Sequence, residues 1–410
     1  MPNQSLPPNK LAIALGTSLI VQTAISFGAQ IVGPLAPALR AGLGLSSSEI
    51  ALLVGFFFLG ATLLLIPAGT ITDRIGPRPL FFVGPALVFA AFVAASRSTS
   101  FVPLVAAMLV AGLGNALTLP STTRAIMDWF RADQGRATAM SIKQTGVALA
   151  GVIMALTVPA IVVPLGWRMT MLVVGAVTFA SGALSALLYT PGPLAREIDR
   201  LATAHHDRER RPKLPVQTIA IAAYTFLIAG VQLTFQSFFV LFLHDQMGYA
   251  LPLAGVLLAL AQGSGVAARI GWSVVSDSLF NERRRPALLA ISLLALATAI
   301  GLALSTASTS FAAIVAFAIL FGASAIGWNG VVMVFVTESA GIARAATAAS
   351  INLASSYVAI FVVPPLFGAI VDATHGYHAA FALLAALVLL TLGCIVPMRE
   401  ITSSDVSSRA

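Results

Sequence analysis

Gly69-Thr70-Ile71-Thr72-Asp73-Arg74-Ile75-Gly76-Pro77-Arg78 is a short polar passage between two apolar runs, 49–71 and 79–97. A membrane-spanning helix needs about 20 predominantly apolar residues, and each flank comes close to that length. The decapeptide therefore reads as a tight loop joining two spanning helices. Gly69 and Gly76 suit close helix approach and a tight turn. Asp73 can interact favourably with a neighbouring helix N-terminus, and Arg74 and Arg78 can pair with Asp128 farther along the chain.

Outward from this loop the same alternation continues. Hydrophobic residues make up 58% of the 410 residues and charged ones 9%, where soluble domains carry about 25% charged residues. Mean hydropathy is +0.94. Such a chain cannot cover itself with a water-facing surface. Apolar runs fall at 11–38, 49–71, 79–97, 102–127, 136–164 and 168–190, then at 216–243, 251–276, 286–305, 309–336, 345–369 and 378–398. They are too long and continuous for barrel strands, so each predicts a helix. The expected architecture is an all-α polytopic membrane protein of twelve spans: a bundle over 1–190, a polar linker over 191–215 and a second bundle over 216–410.

Cation placement sets the orientation. With the N-terminus inside, seventeen Lys and Arg fall on the cytoplasmic side, six of them in the linker, against Arg40, Arg97 and Arg168 outside. This is the positive-inside bias, and it accounts for the formal charge of +8 without nucleic acid. The N-terminus lacks the features of a cleaved signal or presequence. A bacterial cytoplasmic (inner) membrane with both termini cytoplasmic is the expected address. The single cysteine, Cys394, excludes an internal disulfide and a cysteine-based metal site.

The two halves repeat one another. Ala137-Thr138-Ala139-Met140-Ser141-Ile142-Lys143 matches Ala346-Thr347-Ala348-Ala349-Ser350-Ile351-Asn352, and Asp128 matches Glu338. Gly166-Trp167-Arg168 matches Gly376-Tyr377-His378. Parallel repeats of this kind place a substrate site near the bilayer midplane. The decapeptide resembles the loop motif of the major facilitator superfamily, with a weaker copy at Gly271-Trp272-Ser273-Val274-Val275-Ser276-Asp277. The resemblance implies a latch built from Gly69, Asp73, Arg74, Gly76, Arg78, Asp128, Asp277 and Glu338 that holds the inner gate shut. Trp129-Phe130, Gly135-Arg136-Ala137 and Lys143-Gln144-Thr145-Gly146 look like the cyanate, nitrate and organic-anion porter branch. Met108 stands where the family's arginine precedes Gly112, so no proton-coupling role is carried over from it.

Ionisable groups inside a membrane are costly and therefore informative. Lys143 lies seven residues into its helix and Arg269 eight residues before Asp277, while Arg124 sits shallower, near the inner end. No acid or histidine falls comparably deep, so a substrate anion can supply the missing counter-charge. Gln22, Gln144, Gln232, Gln236, Asn329 and Asn352 add hydrogen-bonding groups, some for the cavity and some for helix–helix ties. The resulting expectation is a secondary transporter for a small organic or inorganic anion, such as a carboxylate. It would work by alternating access as a monomer in the lipid bilayer, with proton coupling, exchange and uniport all open. The alternative is a proton-coupled exporter of drugs or hydrophobic compounds, which should carry an embedded carboxylate that these runs lack. No paired carboxylates, Ser-His-Asp set or Cys/His cluster suggests an enzyme. No GxxxxGK[ST] loop suggests bound nucleotide, and no cofactor is expected.

Overall fold

The computed structural model describes residues 8–131, 135–195, 216–281, 283–340 and 345–400. Beyond residue 195, the linker expected over 191–215 lies outside these. Among the described residues the fold is helical without strands. A bilayer leaves backbone groups no water partner, so each crossing must satisfy its own.

The first span, α1, comprises Pro8–Gln30 and Val32–Leu43. Its break at Ile31 precedes Pro34, which has no N–H for the Gln30 carbonyl. The next three are α2 (Ser47–Ile75), α3 (Pro77–Ser96) and α4 (Phe101–Trp129). A single helical stretch, Arg136–Leu188, holds two spans, because Gly166 breaks it at φ 73 and ψ 167. Its 53 residues would otherwise run about 80 Å, well over twice the hydrocarbon thickness. The arms 136–165 and 167–188 are α5 and α6.

The second half supplies α7 (Val216–Asp245), α8 (Leu251–Ser278), α9 (Arg284–Ala303), α11 (Ala345–Thr374) and α12 (His378–Ile395). Between α9 and α11, α10 runs as Phe311–Phe321, a π turn over Gly322–Ile326, and Asn329–Ala340. Among the described residues these make twelve helices of membrane-crossing length, counting the two arms of the Arg136–Leu188 stretch separately.

The decapeptide is less of a loop than its polarity suggests. Helix α2 continues through Ile75, and only Gly76 leaves helical space, at φ 77 and ψ 174. Pro77 then opens α3, where its missing N–H costs nothing. The close approach expected of Gly69 is absent, since a Cβ there would meet nothing within 4 Å.

The chain packs as two compact units, 1–32, 56–154 and 161–210, and 33–55, 155–160 and 211–410. In the first, α2 and α4 touch through glycines: a methyl on Gly60 would collide with the Leu109 carbonyl, and one on Gly112 with that of Phe57. Small residues give membrane helices the close contact that apolar burial cannot drive in lipid. In the second unit Phe238, Phe242, Phe367 and Phe381 form an aromatic cluster, with Phe238 and Phe367 centroids 4.8 Å apart. Large apolar side chains such as Leu63, Leu187, Ile270 and Leu304 are exposed, as a lipid-facing surface requires.

Candidate substrate site and charge clusters

In the first unit, Gly135 starts α5 from a left-handed conformation (φ 82, ψ 14), and Lys143 follows two turns later. Its side chain is buried, with 4% exposure. The ammonium donates to Thr123 Oγ1 at 2.9 Å and to Thr122 Oγ1 at 3.3 Å, both on α4. Thr122 lies 2.9 Å from Gln22 Oε1 on α1, while Gln22 Nε2 is buried without a hydrogen-bond partner. Among the described residues no carboxylate lies within ion-pair distance of Lys143. Hydroxyls solvate the ammonium but leave its charge uncompensated. Gln144, the next residue, is exposed and lies outside this cluster.

Arg124, expected as an anion contact, is held between two acids near the end of α4. Its Nε donates to Asp128 Oδ1 at 2.8 Å, and Nη1 lies 3.3 Å from Asp73. Nη2 reaches the Ala195 carbonyl at 3.1 Å, and Tyr189 donates to the other Asp128 oxygen at 2.7 Å. Arg124 is thus the centre of a charge cluster at this end of α4. Arg78, expected at Asp128, instead donates to the Ala186 carbonyl at the end of α6. Arg74 is exposed and pairs with no carboxylate among the described residues.

The second unit repeats the cluster with a different cation. Arg284, at the start of α9, pairs with Asp277 and holds Glu338 at 2.9 Å. It lies in the first turn of its helix, as Arg78 does in α3, and here the expected cation–acid contact forms. Sequence reading missed Arg284, although its place after the degraded motif marked it.

The polar residues of this unit largely bind each other. Gln232 Oε1 accepts from Trp328 Nε1 at 2.9 Å and from Asn329 Nδ2 at 3.4 Å. Gln236 donates to Gln262 at 2.9 Å, and Asn352, the repeat partner of Lys143, accepts from Thr225 at 2.5 Å. Arg269 is partly buried, with Nε 3.3 Å from the Ile326 carbonyl of the π turn. These contacts serve as interhelical ties.

At the end of α7, unanticipated from sequence, Arg40 pairs with Asp245 at 2.5 Å, and Tyr377 donates to the same carboxylate at 3.2 Å. Burial and the adjacent Asp245 charge push the Tyr377 phenol well above its ordinary range, so it stays a donor.

Comparison with known proteins followed the same lines. The family model for the Major Facilitator Superfamily matches residues 18–364. The chain is 25% identical to a probable sulfoacetate transporter of Cupriavidus necator, over 86% of this chain and 85% of that one. It is 22% identical to a hexuronate transporter of Bacillus subtilis, over 92% of each. Among solved structures, a bacterial homologue of the human lysosomal transporter Spinster, described as inward-facing and unoccupied, superposes with a TM-score of 0.80 at 15% identity. That superposition covers 96% of this chain and 97% of the other.

Proposed function

Because the chain belongs to the Major Facilitator Superfamily, we propose that it is a secondary transporter moving a small anion of the carboxylate type by alternating access. The observation that carries this reading is Lys143, buried and held by two threonine hydroxyls with no carboxylate among the described residues within ion-pair distance. An unpaired ammonium at such depth costs about 2.5–3.5 kcal/mol on insertion scales, and an anionic cargo offsets that cost whenever it binds. Two relatives support the class, since sulfoacetate and hexuronates, for which they are named, are anions. Gln22 supplies a spare amide donor next to the Lys143–Thr122 contact.

In this reading the bundles over 1–190 and 216–410 are the transport domains, joined by the linker over 191–215. The protein acts as a monomer in a bacterial cytoplasmic membrane with both termini inside. The test is uptake of carboxylates, sulfonates and inorganic anions into proteoliposomes, with substrate-induced thermal shift of the purified protein. The Lys143→Ala protein should be folded and well expressed, yet neither bind nor transport the anion. Wild-type uptake and affinity in that variant would refute the reading and make Arg269 the next candidate.

A further inference from the structure

The first turn of α2 leaves a complete account of its backbone donors. Ser46 and Glu49 form a reciprocal capping box: the Ser46 N–H donates to Glu49 Oε2 at 2.8 Å, and the Glu49 N–H to Ser46 Oγ at 3.2 Å. The Ile50 N–H takes the Ser46 carbonyl. Two orphan donors remain, Ser47 N–H and Ser48 N–H, as every helix start must have. Both are taken by one carboxylate 324 and 325 residues away, Asp372 near the end of α11, at 2.7 and 2.9 Å. The Ser48 hydroxyl adds a third bond to Asp372 at 2.6 Å.

The surroundings are built for this contact. A Cβ on Gly368, one turn before Asp372, would lie 2.7 Å from the Ser47 and Ser48 backbone, so glycine is what lets α11 come this close. Arg40, at the end of α1, bonds the Ser47 hydroxyl while pairing with Asp245 at the end of α7. A polar network therefore joins the outer ends of α1, α2, α7 and α11. It borders a cavity of about 910 Å³ that includes Arg40, Ser46, Asp245, Asp372 and His378.

We propose that Asp372 is a positioning residue of the transport cycle. It fastens the start of α2 to the end of α11 in the outer-closed state and must be released each time the outer side opens. The carboxylate is matched to its partners by charge as well as by hydrogen bonds, since a helix N-terminus favours an anion. Asp372 touches no substrate-site residue. Its effect is on which side of the protein is open, so the proposal depends on alternating access and not on the identity of the cargo.

The experiment needs no substrate. Cys394 is the single native cysteine, so the Cys394→Ser protein is a blank background. Ser237→Cys serves as the reporter: Ser237 is buried in α7, and its Cα is 3.1 Å from where a Cβ on Gly33 of α1 would lie. A membrane-impermeant maleimide is added to right-side-out vesicles, and the labelling rate is compared with and without Asp372→Ala. The expected result is labelling about tenfold faster, the factor supplied by losing one charge-assisted cap. Asp372→Asn, which keeps one acceptor oxygen without the charge, should fall between. Equal rates in the parent and in Asp372→Ala would overturn the proposal. If Asp372→Ala does not reach the membrane, the Asp372→Asn rate decides. Failure of both to accumulate would assign Asp372 to folding and overturn it as well.

Discussion

Arg124 and Asp128 stand one turn apart on α4 with Nε and Oδ1 separated by 2.8 Å, and both side chains are almost wholly buried. Two charges of one helix thus compensate each other, and their remaining valences tie down α2, through Asp73, and the chain leaving α6, through Ala195 and Tyr189. Breaking a buried pair from one side costs about 3–5 kcal/mol, because it strands the other charge. Arg124→Ala should therefore lower the thermal unfolding midpoint of the purified protein sharply. The double variant Arg124→Gln/Asp128→Asn should recover much of the loss. A double variant no more stable than Arg124→Ala would show that the pair is not what matters.

The exposed ends of the two clusters are where conformational control is expected. Asp73 is about half exposed at 3.3 Å from Arg124, and Asp277 is similarly open against Arg284. Asp73→Asn should reduce turnover by about tenfold through a shifted equilibrium between states, while leaving expression and substrate binding largely intact. Asp277→Asn should act in the same direction but more mildly. Turnover numbers and binding shifts measured side by side check this, and equal transport by wild type and Asp73→Asn would dispose of the latch.

How much of this was legible beforehand depends on the kind of information. The spans could be read because the bilayer demands long apolar helices whatever their neighbours, and the acids Asp73, Asp128, Asp277 and Glu338 mark inner helix ends by position alone. Which cation meets which acid could not be read. Arg78 and Arg284 each lie in the first turn of a helix, yet one caps the Ala186 carbonyl and the other grips Glu338. The choice turns on Arg124, placed by helical spacing under Asp128 in one half only. Asp372 was equally opaque, since two of its three bonds come from backbone N–H groups that no sequence pattern announces.

Charge and shape at Lys143 can be separated. Lys143→Arg should retain part of the uptake, because the charge survives while the planar guanidinium alters the hydrogen-bond geometry at Thr122 and Thr123. Lys143→Glu should abolish anion uptake. Initial rates normalised to membrane protein level are the measurement. Robust anion uptake by the Glu variant would remove the residue from the cargo path.

Two glycines of the same helix offer a packing test. Gly60→Ala puts a methyl into the Leu109 backbone, whereas Gly69→Ala meets open space. Overpacking of this sort costs about 1–3 kcal/mol, so Gly60→Ala should unfold at lower temperature and Gly69→Ala should match wild type. Indistinguishable midpoints for the two would mean that α2 and α4 do not touch as closely as described.

The π turn at Gly322–Ile326 fits one extra residue into a single winding of α10, which sets everything after it back by about 100° in azimuth relative to regular winding of the same residues. Trp328 and Asn329, which follow it, meet Gln232 in that shifted setting. Removing one residue, Ala323 for example, would restore regular winding while leaving composition and hydropathy almost untouched. The deleted residue and the lost wide winding would offset each other, so Trp328 and Asn329 would still face α7 and only the local widening at Gly322–Ile326 would disappear.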